Sequence, residues 1–265
     1  MTKNISKLPR TNRGNYYSKL IHSDICGPIS PMTNTKKRYI ISYIDDYSKY
    51  TEIYLLRKRD AETVLQTTKS FITRLNNQIR PSTIKRFHSD GAKEYISLSK
   101  TLFDELGINY TYSAPYTLEQ NSVAERFNRT LLNRVRALLV EATLPKKYWG
   151  EAAIVATYLY NRTPNSSINY KTPYEMRYNK QPDISHVRTW GSLAYKRIDS
   201  NLITKLDPRA NRYYIIGYIE PNIYKLLDPT TSKTTIARDL VIFEQQFYKS
   251  NSSPNSPISK VSNKG

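Results

Sequence analysis

The residue pattern predicts an α/β fold: a mixed sheet covered by helices, followed by a small all-β unit. Three observations carry this. Short Ile- and Tyr-rich runs bounded by turn residues give way to stretches of helical apolar spacing, in the order β-β-β-α-β-α-β-α-α. Beyond a Pro-containing connector at 163–182, only short strand-like runs recur. The 265 residues leave room for one large domain and one small one.

Residues 1–18 read as a basic, flexible arm. LIHSDIC (20–26), RYIISYIDD (38–46) and KYTEIYLLR (49–57) are strand patterns, with Asp46-Tyr47-Ser48 as a tight connection between the last two. Over 60–78, Val64, Leu65, Thr68, Phe71, Ile72 and Leu75 fall on one helical face. A strand at 83–90, a short helix at 98–106 stopped by Gly107, and a strand at 108–114 follow. Thr117 and Gln120 form a T-x-x-Q capping box that opens the next helix. In that helix Val123, Phe127, Leu131, Val135 and Leu138 make the apolar stripe. Pro145 starts another helix, running to about Tyr160. Strand runs at 211–219, 222–228 and 233–243 are separated by Glu220-Pro221 and Asp228-Pro229, and 249–265 has the Ser/Asn/Pro/Lys composition of a disordered tail.

The formal net charge is +19, which favours a polyanionic partner, nucleic acid ahead of an acidic membrane surface. No run approaches the roughly 18 apolar residues of a membrane span, and the first 20 residues lack a signal-peptide core. Cys26 is the only cysteine, which excludes intrachain disulfides and points to a reducing compartment. With His22, His88 and His186 scattered, no zinc set of His and Cys pairs can be assembled. The 23 tyrosines read first as core residues whose hydroxyls reach polar partners.

Three carboxylates sit where chemistry can use them. Asp24 lies inside the first strand pattern between Ile21 and Ile25, a place where charge is costly unless compensated. Asp90 ends the fourth strand before Gly91, and Glu125 lies at the seam between an apolar stripe and a side carrying Arg129 and Arg136. Acids on separate elements can hold two Mg²⁺ ions for phosphodiester displacement. The plain alternatives stay open: Glu125–Arg129 as a surface i,i+4 pair, Asp90-Gly91 as a turn, Asp24 as a cap, and Asp45-Asp46 as a rival acidic pair.

The strings IHSDICGP, YIISYIDDYSKY, HSDGAKEY, QNSVAERFNRTLL, YWGEAAIVATYLYNRTP, KTPYEM, TWGSLAYKRI, KLDPRANRYYIIGY and IYKLLDP occur in order from about residue 18 to 244. They resemble consecutive motifs of copia-type (pseudoviral) retrotransposon integrases. The resemblance implies a ribonuclease-H-like core at 19–180 with a five-stranded mixed sheet, and a small SH3-like β domain at 186–248. It also implies the D,D-35-E triad, with two Mg²⁺ (or Mn²⁺) ions per active site. The Asp of H-x-D-x-x-G-P is then Asp24, the Asp of S-D-N-G-G-E is Asp90, and the Glu of N-G-V-A-E-R is Glu125. Asp24 would bridge both ions, with Asp90 and Glu125 each completing one. Asn121, Arg126, Arg129 and Arg136 would contact DNA.

The implied activity is end trimming and strand transfer of element DNA into target DNA in the nucleus, after a stage in a cytoplasmic virus-like particle. The implied partners are element-end DNA, target DNA, further copies of the full-length chain, and a chromatin factor reached through a targeting tail. Departures bear on this. Between Asp90 and Glu125 lie 34 residues, one fewer than the motif's name. Gly91-Ala92-Lys93 replaces the family's N-G-G, and Ser122 stands where Gly is usual, stiffening the helix entry. The family's His-His-Cys-Cys zinc module is absent upstream, so no zinc is expected, and the chain reads as a truncated element fragment opening at Met1. The rival expectation is a catalytically inactive DNA-binding remnant.

Overall fold

The structure, a computed structural model, describes residues 19–78, 84–112, 122–199, 201 and 204–248. The expected arm, tail, Thr117/Gln120 capping box and Asn121 lie outside the described residues. The described residues fall into two compact units, one within 1–139 and 145–187 and one within 140–144 and 188–265.

In the first unit β1 (Leu20–Cys26), β2 (Tyr39–Asp45), β3 (Thr51–Leu56), β4 (Arg86–Ser89) and β5 (Asn109–Tyr112) form a mixed sheet ordered β3-β2-β1-β4-β5. The first three strands make an antiparallel meander, while β4 and β5 join parallel to β1. The meander turns tightly because Asp45 Oδ2 accepts hydrogen bonds from the Ser48 N–H (2.8 Å) and hydroxyl (2.5 Å). Parallel strands need crossovers, and α1 (Ala61–Gln78) and α2 (Lys93–Leu106) lie in the two crossover connections.

Strand alternation divides the sheet into two faces. Ile21, Ile25, Ile41, Tyr43 and Phe87 pack with Val64, Phe71, Ile72 and Leu75 of α1 and Tyr95, Leu98 and Leu102 of α2. Tyr43 anchors this core, stacked on Phe71 at 4.3 Å with its hydroxyl bonded to Thr68 (2.8 Å). The opposite face carries His22, Asp24, Ser42 and Ile44, and faces α3 (Ser122–Glu141), which buries Ala124, Phe127, Leu131 and Val135. α4 (Trp149–Tyr160) packs along β3, and Asn161 just beyond it bonds both the N–H (2.9 Å) and the C=O (2.8 Å) of Thr51.

Some boundaries differ from expectation. α2 begins at Lys93, not 98, because Tyr95 is drawn fully into the core. Pro145 precedes a 3₁₀ turn at Lys146–Tyr148, and α4 proper starts at Trp149. The connector contains α5 (Pro173–Tyr178), opened by a reciprocal Thr172–Glu175 capping box.

The second unit is an antiparallel five-stranded sheet of β6 (Ser192–Arg197), β7 (Ala210–Glu220), β8 (Ile223–Leu227), β9 (Thr234–Ala237) and β10 (Leu240–Phe247), ordered β10-β6-β7-β8-β9. Its core gathers Ala194, Ile215, Tyr224, Leu226 and Ala237. β6 was not among the expected strands. The expected single run at 233–243 breaks into β9 and β10 around Asp239, whose φ is 56°. Gly191 precedes β6 at φ 82°, where a Cβ would stand 2.2 Å from that of Ala142.

Replacing Phe71 by Ala leaves a cavity under Tyr43. We expect it to cost about 3–5 kcal/mol of unfolding free energy in denaturant titration of the first unit.

Candidate active site

The site starts from the parallel register of β1 and β4, in which Leu20, Ile21 and His22 stand opposite Arg86, Phe87 and His88. The triplet His-Ser-Asp recurs at 22–24 within β1 and at 88–90, where Asp90 directly follows the last residue of β4. Ser23 is fully buried on the core face and shares a hydrogen bond with the Tyr95 hydroxyl (2.7 Å), and Ser89 does the same with Tyr110 (2.8 Å). Alternation therefore sends His22 and Asp24 to the other face. The imidazoles of His22 and His88 meet edge-on at 5.6 Å.

Asp24 is half-buried. Its Oδ1 accepts from the Ile25 N–H (2.8 Å) and its Oδ2 from the Asn128 amide on α3 (2.9 Å). Burial raises its carboxyl above the ordinary range; these two donors oppose the rise, while the Glu125 charge adds to it and Arg59 opposes it. Asp90 is pushed up to about 6, by burial first and by the charge of Asp24 second, against the pull of Arg59. Its buried Oδ1 accepts no hydrogen bond among the described residues. Arg59, between β3 and α1, places Nη2 3.9 Å from Asp90 Oδ2 and pairs through Nε with Glu94 on α2.

The sheet thus sets Asp24 and Asp90 side by side, and α3 brings Glu125 within electrostatic reach of Asp24. Glu125 itself is exposed in the first turn of α3. Among the described residues no three His, Cys, Asp or Glu side chains stand close enough to hold one ion. The donor chemistry nevertheless fits a hard cation: a crowded pair of carboxylates, one with an orphaned oxygen, and no sulfur or imidazole ligand required. Cys26 next door is a poor ligand or nucleophile, since burial and the Asp24 charge push its thiol up.

The rival pair Asp45-Asp46 has structural work. Asp45 holds the meander turn, and Asp46 contacts His22 Nε2 (3.4 Å) and Lys49 Nζ (2.7 Å). Burial works against the Asp46 charge, but His22 and Lys49 outweigh it and hold the carboxyl well below the usual range.

Comparison with known proteins now decides the family. The integrase core domain model matches residues 18–117, and the retroviral polymerase SH3-like domain model matches 192–257. The Pol polyprotein of Nicotiana tabacum transposon TNT 1-94 is 34% identical over 232 residues, covering 86% of this chain and 17% of the relative. That of Arabidopsis thaliana transposon RE1 is 30% identical, covering 87% and 16%. This chain carries an integrase core domain followed by a retroviral SH3-like domain, and its relatives are copia-like retrotransposon Pol polyproteins. It spans less than a fifth of the length of those two relatives. A chain of the simian T-cell lymphotropic virus intasome, solved in complex with PP2A regulatory subunit B56 gamma, shares the fold at TM-score 0.51 and 15% identity, over 85% of this chain and 78% of that one.

The integrase core leaves Arg126, Arg129 and Arg136 exposed along α3. Three residues beyond the sequence reading complete the site: Asn128, Arg59 and Glu94. Asn128 lies one turn after Glu125, and a buried amide at that helix seam was the available signal. Arg59 and Glu94 gave none, being ordinary charges at loop and helix start.

The pH dependence follows from Asp90. With its folded pKa about 6 against an ordinary 3.8, the folded protein holds the proton more tightly. This contribution is fully present below about pH 3.8 and is lost as pH rises through about 6. Asp90→Asn should therefore melt higher than wild type at pH 7.5 in chelator, with the gap closing towards pH 4.5. A gap independent of pH in calorimetry would contradict the raised carboxyl.

Proposed function

We propose that this chain carries out divalent-metal-dependent phosphoryl transfer on DNA, trimming element ends and joining them to target DNA. The observation that carries the reading is the Asp24–Asp90 pair on adjacent parallel strands, with an orphaned Asp90 oxygen and with Glu125 charge-coupled to Asp24. Asp24, Asp90 and Glu125 are the residues that would hold Mg²⁺ or Mn²⁺, two ions per site. Such ions, when bound, activate the attacking oxygen and neutralise the leaving one.

The chain's own residues do the rest. Asn128 fixes the rotamer of Asp24 and ties α3 to β1, so the acids keep their spacing. Arg59 holds Glu94 and balances the Asp90 charge. Arg126, Arg129 and Arg136, with Asn121, supply sequence-independent contacts to DNA phosphates. The attacking group is water in trimming and a DNA 3′-hydroxyl in joining.

The intasome likeness supports work as an oligomer on element-end and target DNA. A nuclear site of action, a preceding virus-like particle, and a chromatin factor bound through the tail belong to the same reading. One observation favours the rival of a DNA-binding remnant without chemistry: Glu125 stands exposed and apart from a closed three-acid cluster.

A gel assay on branched DNA separates the two. That substrate presents nucleophile and scissile phosphate in one molecule, so assembly is not required. Wild type should resolve it with Mg²⁺ or Mn²⁺, and Glu125→Gln should be inactive while folded. Asn128→Ala should lose about 10–100-fold, the usual cost of removing a ligand's supporting hydrogen bond. Equal activity of wild type and Glu125→Gln would remove Glu125 from the site, and inactivity of both would favour the remnant.

A further inference from the structure

The run Arg57-Lys58-Arg59 leaves β3 with its charges going two ways. Arg59 turns to Asp90 and Glu94. Arg57 and Lys58, with Lys37, line an open groove of about 560 Å³ between β3 and α1, beside Tyr54, Thr67 and Ser70. No acidic residue lines it among the described residues. Lys37, Arg57 and Lys58 make no ion pair among the described residues. Asp60, the acid whose charge Lys58 feels, is committed to the Thr63 N–H (2.8 Å). The hydroxyls of Thr67 and Ser70 donate to Thr63 and Gln66 carbonyls, leaving their oxygens on the groove wall.

We propose that this β3–α1 groove is a phosphate track that carries a DNA backbone away from the active site, with Lys37, Arg57 and Lys58 as its contacts. The proposal rests on the DNA-acting reading above. Three cations along one concavity raise its positive potential and so favour an anionic occupant. The groove also begins one residue from Arg59, which contacts Asp90 and Glu94 at the same end of the sheet. Neither terminal stretch of this chain is a suitable occupant: 1–18 and 249–265 are both basic and would be repelled. An acidic peptide would satisfy the charges too, but adjacency to the site of phosphoryl transfer favours DNA.

The test is fluorescence anisotropy of a labelled duplex against the whole chain, with the association constant measured from about 50 to 200 mM salt. Wild type is compared with Lys37→Gln/Arg57→Gln/Lys58→Gln and with a charge-matched control on exposed lysines outside the groove, Lys100→Gln/Lys146→Gln/Lys205→Gln. Each lost phosphate contact lowers the log–log salt slope by about 0.9. The groove variant should lose about 2–3 from that slope, well beyond the control, with an unchanged melting temperature. If the triple variant melts early, Lys37→Gln/Lys58→Gln is used, with an expected loss of about 1.8. A groove variant that matches the control overturns the track while leaving the functional reading intact. Absence of salt-dependent DNA binding by wild type overturns both. Groove-dependent binding of poly-glutamate with an unchanged DNA slope would assign the groove to an acidic protein segment and overturn the track.

Discussion

The parallel pairing of β1 with β4 is the constraint on which the rest of the first unit depends. It sets the two His-Ser-Asp triplets next to each other, and because side chains alternate, it sorts them in one step. Both serines go to the core face, where Tyr95 and Tyr110 satisfy their hydroxyls. His22 and Asp24 go to the α3 face. A slip of one residue would put Asp24 against the α1–α2 core and expose Ile21 and Ile25. The core favours this register, in which Phe87, Tyr43 and Phe71 form a contiguous aromatic cluster.

That arrangement costs free energy, because two carboxylates share a half-buried strand edge. The compensation comes from three directions. The backbone supplies the Ile25 N–H, α3 supplies the Asn128 amide, and the β3–α1 connection supplies Arg59. None of them saturates Asp90, whose inner oxygen has no donor among the described residues. Buried unsatisfied acceptors are uncommon and cluster where a ligand completes the shell. The contrast with Asp46 is instructive. It is at least as buried, yet His22 and Lys49 contact it and hold its carboxyl well below the usual range.

Much of this was legible in sequence. Helical spacing placed Val64, Phe71, Ile72 and Leu75 on the buried face of α1, and strand alternation placed β1 to β3 within a residue or two. What failed has physical causes. β6, SLAYKR, holds no β-branched residue and ends in two charges, so its composition does not mark it as a strand. The break at Asp239 needs a left-handed backbone that its own run of β-formers does not announce. The first turn of α2 has no apolar periodicity of its own, and it is fixed by Arg59 holding Glu94 and by Tyr95 in the core. Pair interactions across the sheet, such as Asn128 with Asp24 over 104 residues, leave no trace in local periodicity.

The seam position of Glu125 has a geometric explanation in α3. Ala124, Phe127, Leu131 and Val135 bury its apolar stripe, and Phe127 meets Tyr160 edge-on at 5.0 Å, which anchors one side of the helix. Asn128, 6% exposed, pins the other side to Asp24. Two anchors on flanking sides fix the rotation of the helix about its axis. Glu125 is three residues before Asn128, so it lies almost above it, on the side that faces the β1 edge. A polar anchor is required there because an apolar residue at 128 would leave Asp24 Oδ2 without its donor. Helix azimuth and acid orientation are thus one interaction, and the position of Glu125 at the border of core and solvent follows from it.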